Sequence, residues 1–254
     1  VIKTLSSIVF PLITFPYISR VLLPANVGKV NFGSSFISYF SMIASLGITT
    51  YGIRECSAVR DDKEKLSKKS SEIFSINICT TIVSYILLAL SLIIFRQLNS
   101  YRILIIIQSM SILFTTLGTD WLNTAMEDFR YITIRTIIFQ LISLILMFIF
   151  VRSESDYLKY AIISVISASG ANVVNIFYRK KFCKVRFITD IQWRKHFKPI
   201  MLLFVMILAQ TIFSSADVTM LGIMRSDYEV GIYSTAHKIE NIISQVVSSL
   251  AWVV

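Results

Sequence analysis

The sequence predicts an all-α, polytopic membrane protein, a bundle of transmembrane helices, from three observations. Of the 254 residues, 55% are hydrophobic and only 16% are charged, whereas a soluble domain carries about 25% charged residues. The mean hydropathy is +0.69. The apolar residues also come in blocks, and a helix needs roughly 20 apolar residues to cross a hydrocarbon core of about 30 Å.

Eight such blocks recur along the chain and predict eight spans. Backbone polar groups in lipid must be satisfied within the segment, so each span should be a helix. A membrane β-barrel would instead show alternating strands of about ten residues, but the stretch 141–150 is apolar on nearly every face. The predicted spans are Ile2–Val21, Val30–Ile53, Ile73–Phe95, Ile103–Leu122, Tyr131–Val151, Leu158–Tyr178, Pro199–Met224 and Val230–Val254. Pro11 and Pro16 should bend the first of them.

A short internal repeat predicts two lobes. Val27-Gly28 opens the second span, and Val230-Gly231 opens the eighth, 203 residues later. An even number of helices between two copies is typical of parallel repeats. Because the chain begins and ends inside apolar runs, we expect it to be a truncated piece of a longer protein. The expected parts are a six-helix N-terminal lobe, a basic cytoplasmic linker and the first two helices of a second lobe, at residues 1–178, 179–198 and 199–254.

Lysine and arginine are shared unevenly between the two sets of loops. The loops after even-numbered spans hold sixteen, counting Arg135 just inside the fifth span, and the opposite loops hold seven. Cytoplasmic loops carry the excess of basic residues, so we predict a cytoplasmic N-terminus. The net charge of +10 is then mainly a topology signal. In the linker, Phe and Trp alternate with Lys and Arg, and we expect an amphipathic segment on the anionic inner leaflet. RNA binding is the alternative for this stretch alone.

The sequence lacks the motifs of common enzymes and metal sites. Neither histidine belongs to an HExxH motif, no GxSxG occurs, and Ile53-Arg54 stands where a phosphate-binding loop needs Lys-Ser/Thr. The three cysteines have neither metal-like spacing nor an even number for a disulfide framework. We therefore predict a protein that is not an enzyme and that uses no metal and no cofactor.

Charged residues within the spans or at their ends are the candidates for a functional site. A charge at membrane depth is costly and usually faces an interior or a water-filled cavity. The cations among them would suit an anionic substrate, such as a phosphate-bearing lipid headgroup, with the acids as counter-charges. The candidates are Arg20, Arg54, Arg135, Asp217, Lys238 and Glu240. Alternatively, the arginines extend to the headgroups and Asp217 caps a turn at the interface.

Short motifs at the predicted helix ends stand in a recognisable order. They are 16–22 (PYISRVL), 27–28 (VG), 43–48 (IASLGI), 51–55 (YGIRE), 120–122 (DWL), 127–132 (EDFRYI), 198–200 (KPI), 217–222 (DVTMLG) and 229–234 (EVGIYS). In this order they resemble the polysaccharide-unit flippases, the O-antigen and capsule-repeat (Wzx-type) members of the multidrug/oligosaccharidyl-lipid/polysaccharide exporter (MOP) superfamily. The resemblance extends over the whole chain, although no single motif is stringent.

The resemblance implies two six-helix lobes around a central cavity, as in MATE-like transporters. It implies alternating access that moves an undecaprenyl-diphosphate-linked oligosaccharide across the bacterial inner membrane for O-antigen, capsular or other surface polysaccharide. The implied partners are membrane lipids, a polysaccharide polymerase and a chain-length regulator, and no nucleic acid. Arg20, Arg54, Asp217 and Lys238 fall where such proteins place charges.

Three other functions are alternatives. A MATE-like drug/cation antiporter would favour deep carboxylates, but the first six predicted spans contain no acid at depth. An integral-membrane polysaccharide polymerase or glycosyltransferase would need a large loop with catalytic groups, but the predicted outward loops are short. A purely structural membrane subunit is the third alternative.

Overall fold

The computed structural model describes residues 2–251, with side chains described for Ser6 and for residues 9–244. The described residues form helices and no β-strand. Six stretches within them are long and apolar enough to cross a membrane, by length and composition alone. The predicted polytopic helix bundle is therefore confirmed. The helices are α1 (Ile2–Ser45), α2 (Ile48–Ser57), α3 (Lys63–Ile94), α4 (Arg102–Gly118), α5 (Asp120–Ala125), α6 (Phe129–Phe150), α7 (Tyr157–Val165), α8 (Ala171–Tyr178), α9 (Trp193–Met224) and α10 (Asp227–Ala251).

The helix α1 contains the first predicted span and most of the second, which continues into α2, because the chain reverses direction at Leu23. Leu23 has non-helical angles (φ 60°, ψ 163°) and precedes Pro24, and the residue before a proline is disfavoured in the α conformation. The Tyr17 hydroxyl donates to the Val151 carbonyl at the end of α6 (2.7 Å). Farther along α1, the Ala44 carbonyl accepts from Asn77 in the middle of α3 (2.9 Å), and the Phe40 carbonyl accepts from Ser84, two turns later in α3 (2.6 Å). The two arms of α1, residues 2–22 and 24–45, are therefore antiparallel.

The bundle has two distinct ends. The helices α3 and α9 begin at one end, which we call the basic end because it contains the lysine- and arginine-rich linker. The opposite end, where α1 reverses direction, is called the far end. At the basic end, the Asp62 carboxylate caps α3 by accepting from the backbone N–H groups of Glu64 and Lys65 (both 3.1 Å). A hydrogen bond from the Lys65 side chain lowers the pKa of Asp62.

The eighth predicted span is the helix α10, which packs along α1 at the far end. It is not one of the six described stretches that are long and apolar enough to cross a membrane. Four charged residues, Asp227, Glu229, Lys238 and Glu240, lie within its first fourteen residues. A Cβ atom on Gly28 would lie 1.8 Å from the Asp227 carbonyl oxygen, and one on Gly231 would lie 1.9 Å from the Pro24 carbonyl oxygen. The two copies of the short repeat thus meet backbone to backbone. The division into two lobes stays a prediction.

Residues 182–192 of the linker contain no regular helix and lie against α3, and the predicted position of the linker on the inner leaflet stays a prediction. The backbone N–H groups of Lys184, Arg186 and Ile188 donate to the hydroxyls of Ser67, Ser71 and Ser75, at 3.3, 3.1 and 2.8 Å. Every second residue of an extended chain thus meets successive helical turns. Cys183 is buried and Lys184 is exposed. The segment is amphipathic with a period of two, and the helix resumes only at Trp193.

Candidate functional site

A cavity of about 280 Å³ with many polar lining residues lies among α1, α2, α3, α4, α5 and α8, toward the basic end. Two irregular helical segments line it. The helix is interrupted at Thr119 (φ 47°), between α4 and α5, and residues Ile166–Gly170 form a π-helical turn between α7 and α8. Irregular backbone at membrane depth is tolerated where it is buried in protein or lines a water-filled cavity, and π-helical turns often occur at functional sites. The polar lining residues are Ser41, Ser45, Thr49, Asn77, Thr115, Thr116, Asp120, Thr124 and Asn172.

Side chains near the end of α8 satisfy the backbone that the break at Thr119 leaves open. The Arg179 guanidinium donates to the Leu117 carbonyl (2.8 Å) and to the Thr119 hydroxyl (3.1 Å). The Asn175 amide donates to the Gly118 carbonyl and accepts from the Asn123 amide (2.6 Å). Because these polar groups replace the lost helical hydrogen bonds, the break can persist inside the bundle.

Beside this cavity the buried Arg135 forms an ion pair with the partly exposed Asp120. The Arg135 side chain is only 5% exposed, so it does not extend toward headgroups, and its guanidinium lies 5.3 Å from the centroid of the Tyr131 ring. Its Nη2 donates to the Asp120 carboxylate. Its Nε and Nη1 have no acceptor within the described part of the chain. Arg135 is therefore anchored by Asp120 and still has free hydrogen-bond donors.

A separate cleft lies between the first arm of α1 and α10, with Arg20 in its lining and Lys238 beside it. The cleft is about 450 Å³ and is lined by Pro11, Leu12, Phe15, Pro16, Ser19, Arg20, Ile239, Ile242 and Ile243. Lys238 Nζ donates to the Asn31 side-chain oxygen (3.2 Å) and lies 5.2 Å from the centroid of the Phe15 ring. Neither cation has a carboxylate partner among residues 9–244.

The two cations of the cleft lie at different depths. Arg20 is three residues before the reversal at Leu23, near the far end. Gly231 of α10 packs against Pro24 at the reversal, and Lys238 is seven residues beyond Gly231. At 1.5 Å per residue, Lys238 therefore lies about 10 Å from the reversal and Arg20 about 5 Å. Positive charge thus occurs at two levels, at Arg20 in the lining of the cleft and at Lys238 beside it.

The other candidates lie elsewhere. Asp217 accepts from the Tyr233 hydroxyl and thus joins α9 to α10. Arg54 and Glu240 have side chains that are 69% and 73% exposed, and each pairs with a neighbour in sequence, Glu55 (3.5 Å) and His237 (3.4 Å) respectively. The described structure therefore separates the six candidates, and Asp120, not Asp217 or Glu240, is the counter-charge of Arg135. Their roles in transport stay predictions.

Several residues of the polar cavity escaped the sequence analysis. Asp120 stood there only as part of a motif, and Arg179 only as a basic loop residue. The overlooked signal was the spacing of Asn172, Asn175 and Arg179, which places three polar side chains on one face of an otherwise apolar helix.

The cysteines and acidic groups show no arrangement for metal binding. No group of three His, Cys, Asp or Glu side chains that could hold a metal ion occurs in the described chain. Cys56, Cys79 and Cys183 are free thiols. Burial raises the pKa of the Cys183 thiol, which disfavours the reactive thiolate.

Comparisons with known proteins relate this chain to polysaccharide export. Over 241 residues it is 24% identical to the "Putative O-antigen transporter" of Escherichia coli (strain K12), a match that includes 93% of this chain and 57% of the relative. The chain thus spans little more than half the length of that relative, which is described as a transporter and not as an enzyme. No solved structure matches the chain. All of it, residues 1–254, matches the family described as polysaccharide biosynthesis protein. The chain therefore belongs to this family, which confirms the resemblance to the Wzx-type flippases that its sequence motifs carry.

Proposed function

We propose that this chain is part of a flippase that moves an oligosaccharide repeat unit, linked to undecaprenyl diphosphate, across the bacterial inner membrane by alternating access. The observation that carries the proposal is the cleft between α1 and α10, where Arg20 lines apolar walls and Lys238 lies beside Phe15 of the same walls. Neither cation has a carboxylate partner among the described residues. The product would be O-antigen, capsular or another surface polysaccharide.

The chemistry of the cleft matches an amphiphilic anion. A polyprenyl chain would pack against the walls formed by Leu12, Phe15 and Ile242. Its diphosphate would accept hydrogen bonds from the fork of Arg20 and from the ammonium of Lys238. Because no described carboxylate neutralises either cation, the positive charge stays available to a ligand. Two cations at different depths would let the diphosphate pass from one to the other.

Alternating access requires that the cleft open at one end at a time. At the far end α1 and α10 touch at Gly28 and Gly231, so this contact would have to separate when the substrate leaves. The loop charges orient the basic end toward the cytoplasm, with the N-terminus on the same side. The surrounding lipids are partners in this proposal, as are a polysaccharide polymerase and a chain-length regulator.

The proposal is tested by introducing Lys238→Ala or Arg20→Ala into the full-length protein, expressed in its native host. Loss of one charge-assisted contact to the diphosphate should lower surface polysaccharide about tenfold. Lipid-linked repeat units should accumulate, and the amount of the protein in the membrane should not change. The measurements are polysaccharide gels, mass spectrometry of extracted lipids and quantitative immunoblots.

A matched control is Lys159→Ala, which removes an exposed lysine that pairs with Asp156 (2.7 Å) outside the cleft. This variant should export polysaccharide normally, and Lys238→Arg should restore part of the activity because it keeps the charge. Wild-type polysaccharide in both alanine variants of the cleft would refute the proposal.

A further inference from the structure

Three buried polar side chains from three helices form a hydrogen-bonded chain at the basic end. His196 of α9 lies between Tyr51 of α2 and Glu72 of α3. Its Nδ1 is 2.7 Å from the Tyr51 hydroxyl oxygen, and its Nε2 is 3.0 Å from Glu72 Oε2. The three residues are 1%, 2% and 4% exposed, respectively. These three hydrogen-bonded residues, which we call the triad, attach the start of α9 to α2 and α3.

The charges around the triad leave Glu72 with one ionic partner. On α2, Arg54 and Glu55 are close enough to act on Tyr51, and Glu55 is held by Lys69 of α3 (2.7 Å). Lys65 pairs with Asp62 (2.9 Å). From the linker, Cys183 belongs to the same buried cluster as Tyr51. Within the described chain only His196 forms an ion pair with Glu72.

The triad is also in contact with a surface pocket. Glu72 lines a pocket of about 160 Å³ together with Val59, Gln192 and four lysines, Lys65, Lys68, Lys69 and Lys195. The lysines lie at the surface end of the pocket, and Glu72 is its most buried member. A proton can therefore reach the triad from the water at the basic end without crossing the bundle.

Proton bookkeeping shows how protonation and burial are connected. With a neutral imidazole, Tyr51 donates to Nδ1 and Nε2–H donates to the Glu72 carboxylate, so one uncompensated negative charge is buried. One added proton makes the triad neutral, as a carboxylate–imidazolium pair or as a carboxylic acid beside imidazole. Both protonation states retain the Glu72–His196 hydrogen bond. Burying an unpaired charge is much more costly than burying a neutral, hydrogen-bonded group.

We propose that Tyr51, Glu72 and His196 form a proton-binding site that holds α9 against α2 and α3. The site takes up one proton when α9 docks and releases it to the basic end when α9 separates and water enters. Docking is thus favoured as the pH falls, since the docked state binds one more proton than the separated state. The inference does not depend on the identity of the substrate.

Cross-linking measures the docking of α9 directly. Val59→Cys and Gln192→Cys place two thiols in the surface pocket, one beside α2 and α3 and one at the start of α9, without changing any charge. The double variant is treated with a short bismaleimide in open membrane fragments, where both faces meet the same buffer. Peptide mass spectrometry identifies the linked cysteines. With the triad intact, the docking constant should rise as the pH falls, by up to about tenfold per pH unit for one linked proton.

Two variants of the triad, in the same double-cysteine background, separate protonation from reagent chemistry. Glu72→Gln keeps the hydrogen bond to His196 without a buried charge. The cross-linked fraction should therefore be high at neutral pH, and it should not rise as the pH falls, as it does with the intact triad. His196→Gln should lower the cross-link, because the Glu72 carboxylate loses its ionic partner. Cys56 and Cys183, both buried, should stay unmodified in every folded variant. If Cys56 or Cys183 becomes modified in His196→Gln, that variant is misfolded, and Glu72→Gln by itself tests the inference.

Two results would overturn the inference. The first is a docking constant that is the same at every pH with the triad intact, which would show a static contact. The second is an unchanged pH dependence in Glu72→Gln, which would place the titrating group elsewhere. Neither readout requires transport, so failure of this inference is distinguishable from failure of the proposed flippase activity.

Discussion

Two cationic regions of the molecule can be compared, the polar cavity with Arg135 and the cleft with Arg20 and Lys238. In the sequence both are cations in or beside apolar spans. In the structure Arg135 is buried and paired with Asp120, whereas Lys238 is partly exposed and meets only an amide and an aromatic ring. The first region has its counter-charge within the protein, and the second has none among the described residues.

The difference shows that deep charges of one sign can serve opposite purposes. A buried ion pair whose partner is removed leaves a charge in a poorly solvated place, so each member of the pair supports the fold. A cation with no carboxylate partner keeps its charge for a ligand. We therefore expect substitutions in the polar cavity to lower stability and substitutions in the cleft to lower transport.

The largest expected effect on stability is that of Asp120→Ala. The substitution leaves Arg135 buried and unpaired, and it should lower the free energy of unfolding by about 3 kcal/mol. Arg135→Ala should cost less, because Asp120 lines the cavity and remains partly solvated. The double variant Asp120→Ala/Arg135→Ala should recover part of the loss. Heating the detergent-solubilised protein and measuring the fraction that stays monodisperse on size exclusion checks the order. Equal stability of all three variants would contradict it.

A smaller loss is expected for Gly231→Ala, at the contact between α10 and α1. A Cβ atom there would lie 1.9 Å from the Pro24 carbonyl oxygen, and backbone atoms cannot move away as a side chain can. We expect a loss of about 2 kcal/mol from forced separation of the helices. Ala236→Val, which adds bulk at an exposed position of the same helix, is the control. The same heating assay applies, and equal behaviour of the two variants would show that the close approach is not required.

The smallest effects are expected for Arg54→Ala and Glu240→Ala. Their side chains are mostly exposed and pair only with sequence neighbours, so each should change stability by less than about 0.5 kcal/mol. Surface polysaccharide should stay at the wild-type level. If either variant exported as poorly as Lys238→Ala, that residue would belong to the substrate path and the cleft would not be the whole of it.

Much of the fold was predictable from local pattern. The eight apolar blocks correspond to helices, and the prolines marked α1 as irregular, although the reversal occurs at Leu23, before Pro24, and not at Pro11 or Pro16. The repeat at Gly28 and Gly231 is recognisable in the sequence, but the sequence does not indicate that its two copies are in contact. The linker illustrates the same limit. Its alternation of basic and aromatic residues predicted an amphipathic segment but not its packing on α3, because the serine hydroxyls that hold it there are more than 100 residues away in sequence.

The sequence by itself determined the class of protein and its family, because hydropathy over a span and short motifs at helix ends are local properties. It also identified Arg20, Arg135 and Lys238 as cations in need of an explanation. Only the tertiary structure decided which of them has a partner, since pairing depends on distances between helices that are remote in sequence. For the same reason the triad of Tyr51, Glu72 and His196, with partners 124 and 145 residues apart, became visible only when α9 was placed against α2 and α3.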